Sequence, residues 1–489
     1  MEKPEEYFLR LKKLEEIKKN GENPYAYFFD VSAKIEEIKE NYENFENKDV
    51  KIAGRLKAIR DFGKALFADI LGERKWIQVY LKEEHIGKEK YEFFKKYIDI
   101  GDIIGIEGKV MKSRTGEITI FVNNYSLLTK SLLPLPEKYH GLKDKEKRYR
   151  QRYLDFIMNE RSKEILIKRR DIIDAIREFL NKNGFIEFET PVLQPVYGGA
   201  TARPFTTYAN ALDTHLYLRI SNELYLKRLI VGGFERVYEF SKDFRNEGID
   251  RTHYPEFTLL EGYVAYKDYF FLMDFIEDLF IFILDKVFNK RKIEFQGKEL
   301  SFNKPFKKIY FLETLSEILG IEIKKENEER IRKIGIEKGV YEVKNLPYHK
   351  MIDKLFDELV GRNLWEPTFV CDHPVEISPL AKRHREKEGC VERFELFTAG
   401  IEIVNAFSEL NDPIDQRKRF EEQGKYRKGG DEEAHLIDED FLNALEVGMP
   451  PTAGFGIGID RLCMILLDTE NIREVISFPQ LRPKLENEF

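Results

Sequence analysis

One stretch of this sequence restricts the fold and the chemistry more than any other: RVYEFSKDFRNEGIDRTHYPEFTLLEGY, from Arg236 to Tyr263. Its pattern predicts two strands joined by a charged loop, the first ending at about Arg245 and the second beginning at Phe257. Gly248 and Pro255 lie between the two runs and favour a turn there. The stretch is therefore predicted to form a hairpin.

The second strand of this hairpin predicts a wall of mixed chemistry. Alternate side chains of an extended chain share one face, so four side chains would point the same way: Phe257, Leu259, Glu261 and Tyr263. Arg245 would end the opposite strand. Such a wall suits a ligand with flat, anionic and cationic parts. A surface hairpin with solvated charges is the alternative.

Length and composition predict a globular protein with several domains. A chain of 489 residues suffices for two or three domains. No apolar run is long enough for a membrane span, and the Lys- and Glu-rich start does not resemble a signal peptide. The three cysteines lack CxxC spacing, so neither a zinc site nor a disulfide framework is predicted. We therefore expect a cytoplasmic protein without a membrane partner.

The first part of the chain predicts a nucleic-acid-binding barrel. Residues 5–20 form an amphipathic helical pattern, and from about Val50 to Leu128 five short strands alternate with glycine turns. Five strands with one helix suit an OB-type barrel, a fold that commonly binds single-stranded nucleic acid. Because the whole chain carries a net charge of −7, such binding would need a local basic surface.

Two side chains on adjacent strands of that barrel are candidates for reading a base. Phe67 would stack on the base, and Gln78 would read its edge, with Arg55 or Arg60 nearby. Phe67 as an ordinary core residue is the alternative.

A carboxylate-rich stretch lies further along the chain, around the turn at Ala399-Gly400. Glu395 and Glu402 flank this turn and suit a hard cation such as Mg²⁺. Beyond them, alternation places three side chains on one face: Asn405, Phe407 and Glu409. By the same alternation, the Glu402 side chain would point to the opposite face. If all of these residues line one pocket, a β-bulge must intervene.

The closing motif PTAGFGIGIDRL predicts a strand with a bare face. Gly454, Gly456 and Gly458 alternate along it and would leave room for a flat ligand, and Arg461 would supply a cation. The motif matches neither a P-loop nor the dinucleotide-binding GxGxxG spacing.

These motifs together resemble the class II aminoacyl-tRNA synthetases. FRNE with His253 and Phe257 resembles motif 2, and GIGIDR resembles motif 3. The segment FIEFETPVLQP, after a helix from Ser162 to Gly184, resembles motif 1, which forms the dimer interface. The barrel looks like the anticodon-binding domain of subclass IIb, the lysine, aspartate and asparagine group.

The resemblance implies an α+β fold: an N-terminal OB-fold β-barrel followed by a class II catalytic domain, an antiparallel sheet flanked by helices. The expected division is 1–48 for an N-terminal helical extension, 49–132 for the barrel, 133–160 for a linker and 161–489 for the catalytic domain. Residues 290–350 are a possible insertion in which we find no chemistry.

The resemblance also implies the activation of an amino acid by ATP, with Mg²⁺ held by Glu395 and Glu402. Arg245 and Arg461 would be catalytic. The implied ATP-binding residues are Arg245, Glu247, His253, Phe257, Glu395, Glu402 and Arg461.

The segments GGATARPF, NELYLKR and NAFSELNDP are closest to the lysine-specific members of the class. The implied lysine-binding residues are Gly199, Glu223, Arg245, Glu261, Tyr263, Asn405, Phe407 and Glu409. The implied partners are L-lysine, ATP, tRNA(Lys) and a second copy of the chain. The implied anticodon contacts are Arg60, Phe67, Gln78 and Glu117.

The chain departs from the family pattern at two positions. Gly262 stands where the family usually has a larger residue, which predicts looser packing behind the pocket. Ile59-Arg60 offers one basic residue where the family often has two. A catalytically silent relative that only binds tRNA or regulates is the alternative. An enzyme that lysylates a protein is disfavoured by the barrel.

Overall fold

The computed structural model describes residues 3–136, 144–428 and 436–483, and it divides into two compact units. The first unit comprises Met1–Glu164 and Gln480–Phe489, and the second comprises Ile165–Pro479. Parts of the predicted linker (137–143) and of the predicted catalytic domain (429–435 and 484–489) lie outside the described residues, as do residues 1 and 2.

The first unit contains a closed five-stranded barrel with the strand order β1-β2-β3-β5-β4. Its strands are β1 (Asp49–Asp61), β2 (Ala65–Leu71), β3 (Trp76–Lys82), β4 (Ile103–Lys112) and β5 (Ile118–Thr129). Its helices are α1 (Glu5–Lys19), α2 (Ile35–Glu40), α3 (Tyr42–Phe45), α4 (Glu83–Ile86), α5 (Lys88–Tyr97), α6 (Lys145–Arg150) and α7 (Arg152–Met158).

Alternation of inward-facing aliphatic side chains with outward-facing ones explains why these segments close into a barrel. In β3, Ile77, Val79 and Leu81 are fully buried. Gln78 and Tyr80 lie between them on the outer face. The interior is thus filled by aliphatic side chains, and the outer face is left to polar and aromatic ones.

The second unit is built on an eight-stranded sheet with the order β14-β15-β16-β17-β18-β11-β10-β6. Its strands are β6 (Ile186–Glu187), β10 (Arg236–Phe244), β11 (Glu256–Ala265), β14 (Lys307–Tyr310), β15 (Thr368–Cys371), β16 (Arg393–Thr398), β17 (Ile401–Ser408) and β18 (Thr452–Gly458). The two edge strands pair in parallel, and the others pair antiparallel. The predicted α+β fold, a barrel followed by an antiparallel-rich sheet, is confirmed.

Helices and small sheets surround this sheet. The helices are α8 (Glu160–Lys182), α9 (Glu223–Val231), α10 (Tyr269–Ile283), α11 (Phe311–Leu319), α12 (Glu328–Glu337), α13 (Tyr348–Leu359), α14 (Pro413–Lys428), α15 (Glu439–Gly448), α16 (Ile459–Leu466) and α17 (Ile472–Val475). The remaining strands are β7 (Leu193–Gln194), β8 (Thr206–Ala209), β9 (Thr214–Leu218), β12 (Lys292–Phe295) and β13 (Lys298–Ser301). No helix in the described part of the chain combines the length and apolar character that a membrane crossing requires.

The predicted hairpin is present, since β10 and β11 pair antiparallel without a break from Arg236 to Phe244. Residues from α8, α10 and α16 form the core on one face of the sheet, and a separate cluster lies between α9, α14 and α15. The stretch 290–350 contributes β14, which pairs with β15 in the main sheet.

The prediction of loose packing at Gly262 was wrong. A Cβ atom there would lie 2.5 Å from the ring of Phe455. This ring is buried and fills the space that a larger residue would take. Gly262 and Phe455 therefore form a complementary pair in the sheet.

Candidate active site

A cavity of about 1280 Å³ opens over the sheet of the second unit. This volume exceeds the range of about 300–1,000 Å³ that is usual for small-molecule sites, so two ligands can lie side by side. All residues predicted for ATP, lysine or metal binding line this cavity: Gly199, Glu223, Arg245, Glu247, His253, Phe257, Glu261, Tyr263, Glu395, Glu402, Asn405, Phe407, Glu409 and Arg461.

Strand register explains why side chains from distant parts of the sequence meet here. Residues directly opposite each other in paired strands share a face. One row crosses four strands through Glu261, Gly456, Asn405 and Glu395. The next row contains Tyr263, Gly454 and Phe407. The glycines of β18 thus form a low floor between two functional walls.

A β-bulge adds Glu402 to this floor. Leu396 pairs with Val404 whereas Phe397 pairs with Glu402, so Ile403 is an extra residue in β17. The extra residue changes the parity of the strand, which lets Glu402 and Asn405 both line the cavity. The predicted bulge is confirmed.

The three glycines of β18 were predicted to leave room for a flat ligand, and this prediction fails at Gly454. A Cβ at Gly454 would overlap the Glu409 carboxylate and the Tyr263 ring. At Gly456 the nearest atom would be 3.8 Å away. Gly454 therefore makes room for two side chains of the pocket wall rather than for a ligand, which corrects the prediction at that position.

The end of the cavity around Glu261 is strongly acidic. Glu261 accepts hydrogen bonds from the hydroxyls of Ser221 (2.9 Å) and Tyr263 (3.2 Å). Burial, followed by the charges of Asp243 and Glu223, raises the pKa of Glu261 well above its ordinary value. Burial also raises the pKa of Glu409, against the opposing charge of Lys227. These carboxylates favour an incoming cation.

Gly199 lies directly against this acidic end. Its φ of +86° is in the left-handed region. A Cβ there would lie 2.7 Å from the Ser221 hydroxyl and 3.0 Å from Cβ of Glu223. The absence of a side chain thus lets the backbone approach Glu223.

Sequence reasoning missed Lys227, a fully buried lysine behind the acidic wall. Its Nζ lies 2.5 Å from Glu223 and also forms an ion pair with Glu409. Although burial disfavours its charge, these two carboxylates raise the pKa of Lys227. The signal in the sequence was the four-residue spacing of Glu223 and Lys227 on one helix face.

The opposite end of the cavity carries two arginines. The Arg245 guanidinium lies 5.0 Å from the centre of the Phe257 ring. Arg461 donates to the carbonyl of Glu402 (3.0 Å) and lies 2.8 Å from Nε2 of His253. A flat ring and two cations suit a nucleotide with its phosphates.

A buried ion pair holds these nucleotide-end residues in place. Asp460 precedes Arg461, and its carboxylate accepts from the backbone N–H of Thr258 at 2.7 Å. Its other oxygen lies 2.6 Å from Arg169 on α8. Thr258 follows Phe257, so this contact ties the positions of Phe257 and Arg461 together.

Two carboxylates fit a divalent cation. Although burial opposes it, Arg393 and His373 lower the pKa of Glu395 to about 2. Burial and the charge of Glu395 raise the pKa of Glu402. No three His, Cys, Asp or Glu side chains in the described residues form a metal site by themselves. Mg²⁺ in nucleotide sites uses one or two carboxylates with phosphates, so Glu395 and Glu402 suit it.

The barrel of the first unit presents a separate polar and aromatic row. Four residues lie opposite one another on β1, β2, β3 and β5: Arg60, Phe67, Tyr80 and Phe121. The rings of Phe67 and Tyr80 are 4.7 Å apart. Gln78 lies two residues before Tyr80 and thus on the same face.

Internal partners hold the predicted anticodon residues. Arg60 makes a bidentate contact with Asp69 at 2.7 and 2.9 Å. Gln78 accepts from Thr119 at 3.0 Å. Glu117 pairs with Lys39 of α2 at 2.9 Å. Sequence reasoning did not identify these partners, because they come from other segments of the chain.

Comparison with known proteins agrees with this geometry. Residues 144–482 match the family of class II tRNA synthetases (D, K and N), and residues 50–128 match the OB-fold nucleic acid binding domain. The lysine–tRNA ligase of Thermoanaerobacter pseudethanolicus is 52% identical over 97% of this chain and 96% of its own. The chain belongs to the lysine–tRNA ligase family.

Other members of this family show similar likeness. The lysine–tRNA ligase of Thermotoga maritima is 51% identical over 97% of this chain and 95% of its own. That of Aquifex aeolicus is 52% identical over 92% of this chain and 76% of its own. The resemblance expected from the motifs is therefore confirmed, and the chain is a class II synthetase with an anticodon-binding barrel.

Proposed function

We propose that this protein ligates L-lysine to tRNA(Lys) at the expense of ATP. In the first step a carboxylate oxygen of lysine attacks the α-phosphorus of ATP. The bond to the β-phosphate breaks, pyrophosphate leaves and lysyl-adenylate remains. In the second step a hydroxyl at the 3′ end of the tRNA attacks the acyl carbon, and AMP leaves. One observation carries this proposal: a single cavity joins a buried acidic pocket to an arginine-lined nucleotide end.

The acidic pocket supports lysine as the substrate. Glu223, beside the backbone of Gly199, would bind the α-ammonium group. Glu261, Tyr263 and Glu409 would receive the ε-ammonium group. A neutral side chain would leave these buried carboxylates without a cation, which a polar pocket discriminates against strongly. Asn405 and Phe407 would complete the wall beside the substrate's methylene chain.

The nucleotide end supports adenylate formation by positioning and electrostatics. Arg245 would bridge the substrate carboxylate and the α-phosphate, a task suited to a guanidinium. Phe257 and Arg461 would enclose the adenine ring, and Glu247 and His253 would order the nucleotide. Arg461 would also stabilise the negative charge that develops as pyrophosphate leaves.

Glu395 and Glu402 would hold Mg²⁺ with the phosphates of ATP. When bound, this cation supplies charge neutralisation at the phosphate oxygens. Burial, followed by the charge of Glu395, raises the pKa of Glu402, and a cation held by both carboxylates would offset this repulsion.

The barrel would bind the anticodon of tRNA(Lys). Phe67 would stack on a base, and Gln78 would read its edge, with Arg60 and Glu117 nearby. Arg60, Phe67 and Gln78 lie on one outer face of the barrel, and Glu117 directly precedes β5, which supports this role. Because the substrates are the components of translation, we place the protein in the cytoplasm.

A homodimer is the expected assembly. The motif-1 segment exposes apolar residues, with Ile186 50%, Val192 41% and Leu193 47% accessible. Contiguous exposed apolar residues favour a protein interface. Light scattering of the purified protein at micromolar concentration tests this state.

Lysine-dependent exchange of pyrophosphate into ATP tests the proposed activity. The wild type should exchange with lysine and should not with glutamate or methionine. Glu409→Gln should abolish the exchange because it removes a charge from the acidic pocket. Exchange at the wild-type rate in this variant would refute the assignment of the pocket. Charging of purified tRNA(Lys) then separates a ligase from a relative that only binds tRNA.

A further inference from the structure

Lys227 occupies an unusual position relative to the acidic pocket. It lies one helical turn after Glu223 on α9, and its side chain is 0% exposed. Its Nζ contacts Glu223 at 2.5 Å and Glu409, which follows β17, on the other side. Glu223 and Glu409 line the cavity, whereas Lys227 approaches them from behind.

An ordinary helical ion pair does not explain this arrangement. Such pairs lie on the solvent side and join two residues of one helix, but here a third group comes from a different element. Two aromatic rings also surround the ammonium group, with the centres of Phe407 and Phe441 at 5.5 and 5.9 Å. A lysine in apolar surroundings persists only when it is paired, and both partners of Lys227 are pocket residues.

We propose that Lys227 is a positioning residue, the built-in counter-cation of the lysine pocket. It fixes the carboxylates of Glu223 and Glu409 in place and matches the charge of the pocket to that of the substrate. The inference rests on the proposed function, because it concerns the binding of lysine at the same site.

The charges of the occupied pocket balance only when Lys227 is counted. Three ionised carboxylates, those of Glu223, Glu261 and Glu409, together with Lys227 carry a net charge of −2. The two ammonium groups of the substrate neutralise this charge, and Arg245 faces the substrate carboxylate. Without Lys227 the same three carboxylates would exceed the substrate by one negative charge, and one of them would retain a proton.

The neighbours of these groups are held in ion pairs of their own. Asp243 faces Glu261 but lies 3.2 Å from Arg219, which forms ion pairs with Asp243 and Glu239. Arg393, near Glu223, is paired with Glu395 at 2.5 Å. Glu261 itself accepts hydrogen bonds from the hydroxyls of Ser221 and Tyr263, so it can join Glu409 in binding the ε-ammonium group.

Replacement of Lys227 by methionine tests the proposal in the full-length protein. Lys227→Met keeps most of the volume and loses the charge. We expect the KM for lysine in pyrophosphate exchange to rise at least tenfold, whereas the KM for ATP changes less than twofold. Lys227→Arg keeps the charge and should recover part of the lost affinity.

Infrared difference spectroscopy distinguishes the proposed role from a merely structural one, because it detects the protonation of carboxyl groups in the pocket. The lysine-bound Lys227→Met variant should show a protonated-carboxyl band that the lysine-bound wild type lacks. Lys130→Met is the matched control, since Lys130 of the barrel is equally buried and pairs with Asp99 and Asp102. Any protonated-carboxyl band in this control should be the same with and without lysine, because its carboxylates lie outside the pocket, and the KM for lysine should not change.

The outcomes separate this inference from the proposed function. If the wild type exchanges pyrophosphate with lysine and Lys227→Met has an unchanged KM and no new band, the inference is wrong. If Lys227→Met does not fold, the same two measurements on Lys227→Gln and Lys227→Arg decide: full affinity in the glutamine variant overturns the inference. If the wild type shows no exchange with lysine, the proposed function itself fails.

Discussion

At the scale of single residues, Gly454 shows how an absent side chain shapes the pocket. Gly454→Ala would place a methyl group against Glu409 and Tyr263. Overpacking of this kind costs about 1–3 kcal/mol, and we expect that loss in the free energy of unfolding measured with urea. Gly456→Ala is the control, because its nearest atom would be 3.8 Å away. Equal unfolding midpoints for the two variants would contradict this account.

Glu261 gives the site a defined pH dependence. In the ligand-free protein its pKa is raised above the ordinary 4.5. Its contribution to stability is therefore fully present below that value and is lost as pH rises through the raised pKa. Bound lysine supplies the missing cation, so the rise in Tm caused by saturating lysine should grow with pH across this interval.

Thermal melts at several pH values, with and without lysine, measure this effect. Glu261→Gln removes one titrating carboxylate and should reduce the pH dependence, whereas the raised pKa of Glu409 preserves the remainder. A stabilisation by lysine that declines as pH rises would show that the raised pKa of Glu261 is not linked to binding.

The sequence was informative where local pattern decides structure. The alternation that places Phe257 and Tyr263 on one wall, and the parity that requires a bulge near Glu402, follow from the period of a strand. It was silent where a contact joins distant segments. Lys227 could be placed on the face of Glu223, but no local pattern indicates that Glu409 closes the triad. The role of Gly454 was predicted wrongly for the same reason, because Glu409 and Tyr263, which fill the space beside it, come from distant segments.

At the scale of elements, the junction of α16, α8 and β11 supports Phe257 and Arg461 at the end of the cavity proposed for the nucleotide. Asp460 joins Arg169 of α8 to the backbone of Thr258 in β11. Asp460→Asn would leave Arg169, whose side chain is 15% exposed, without its counter-ion, a change that costs at most about 3–5 kcal/mol. We expect that loss in urea unfolding, together with a higher KM for ATP.

The exposed pair of Arg291 and Asp285 is a suitable control for this element. Their side chains are 49% and 48% exposed, and surface pairs contribute at most about 1 kcal/mol. Asp285→Asn should therefore leave both stability and the KM for ATP close to the wild type. If Asp460→Asn behaves in the same way, the junction does not position the nucleotide end.

At the scale of the whole molecule, the chemistry of activation and the reading of tRNA belong to different units. Every residue that lines the active-site cavity lies within the second unit, whereas the aromatic row lies on the barrel of the first. The proposed activation step uses only lysine and ATP, so damage to the barrel should affect only the transfer step.

Phe67→Ala tests this division. Loss of a stacked base costs about 1–3 kcal/mol, which corresponds to a rise of roughly 5- to 150-fold in the KM for tRNA(Lys). Lysine-dependent pyrophosphate exchange should stay at the wild-type rate, measured without tRNA. Glu409→Gln is the opposite control, since it should lose both exchange and charging. A parallel loss of exchange in Phe67→Ala would mean that the barrel shapes the active site, and the two activities would not be separable.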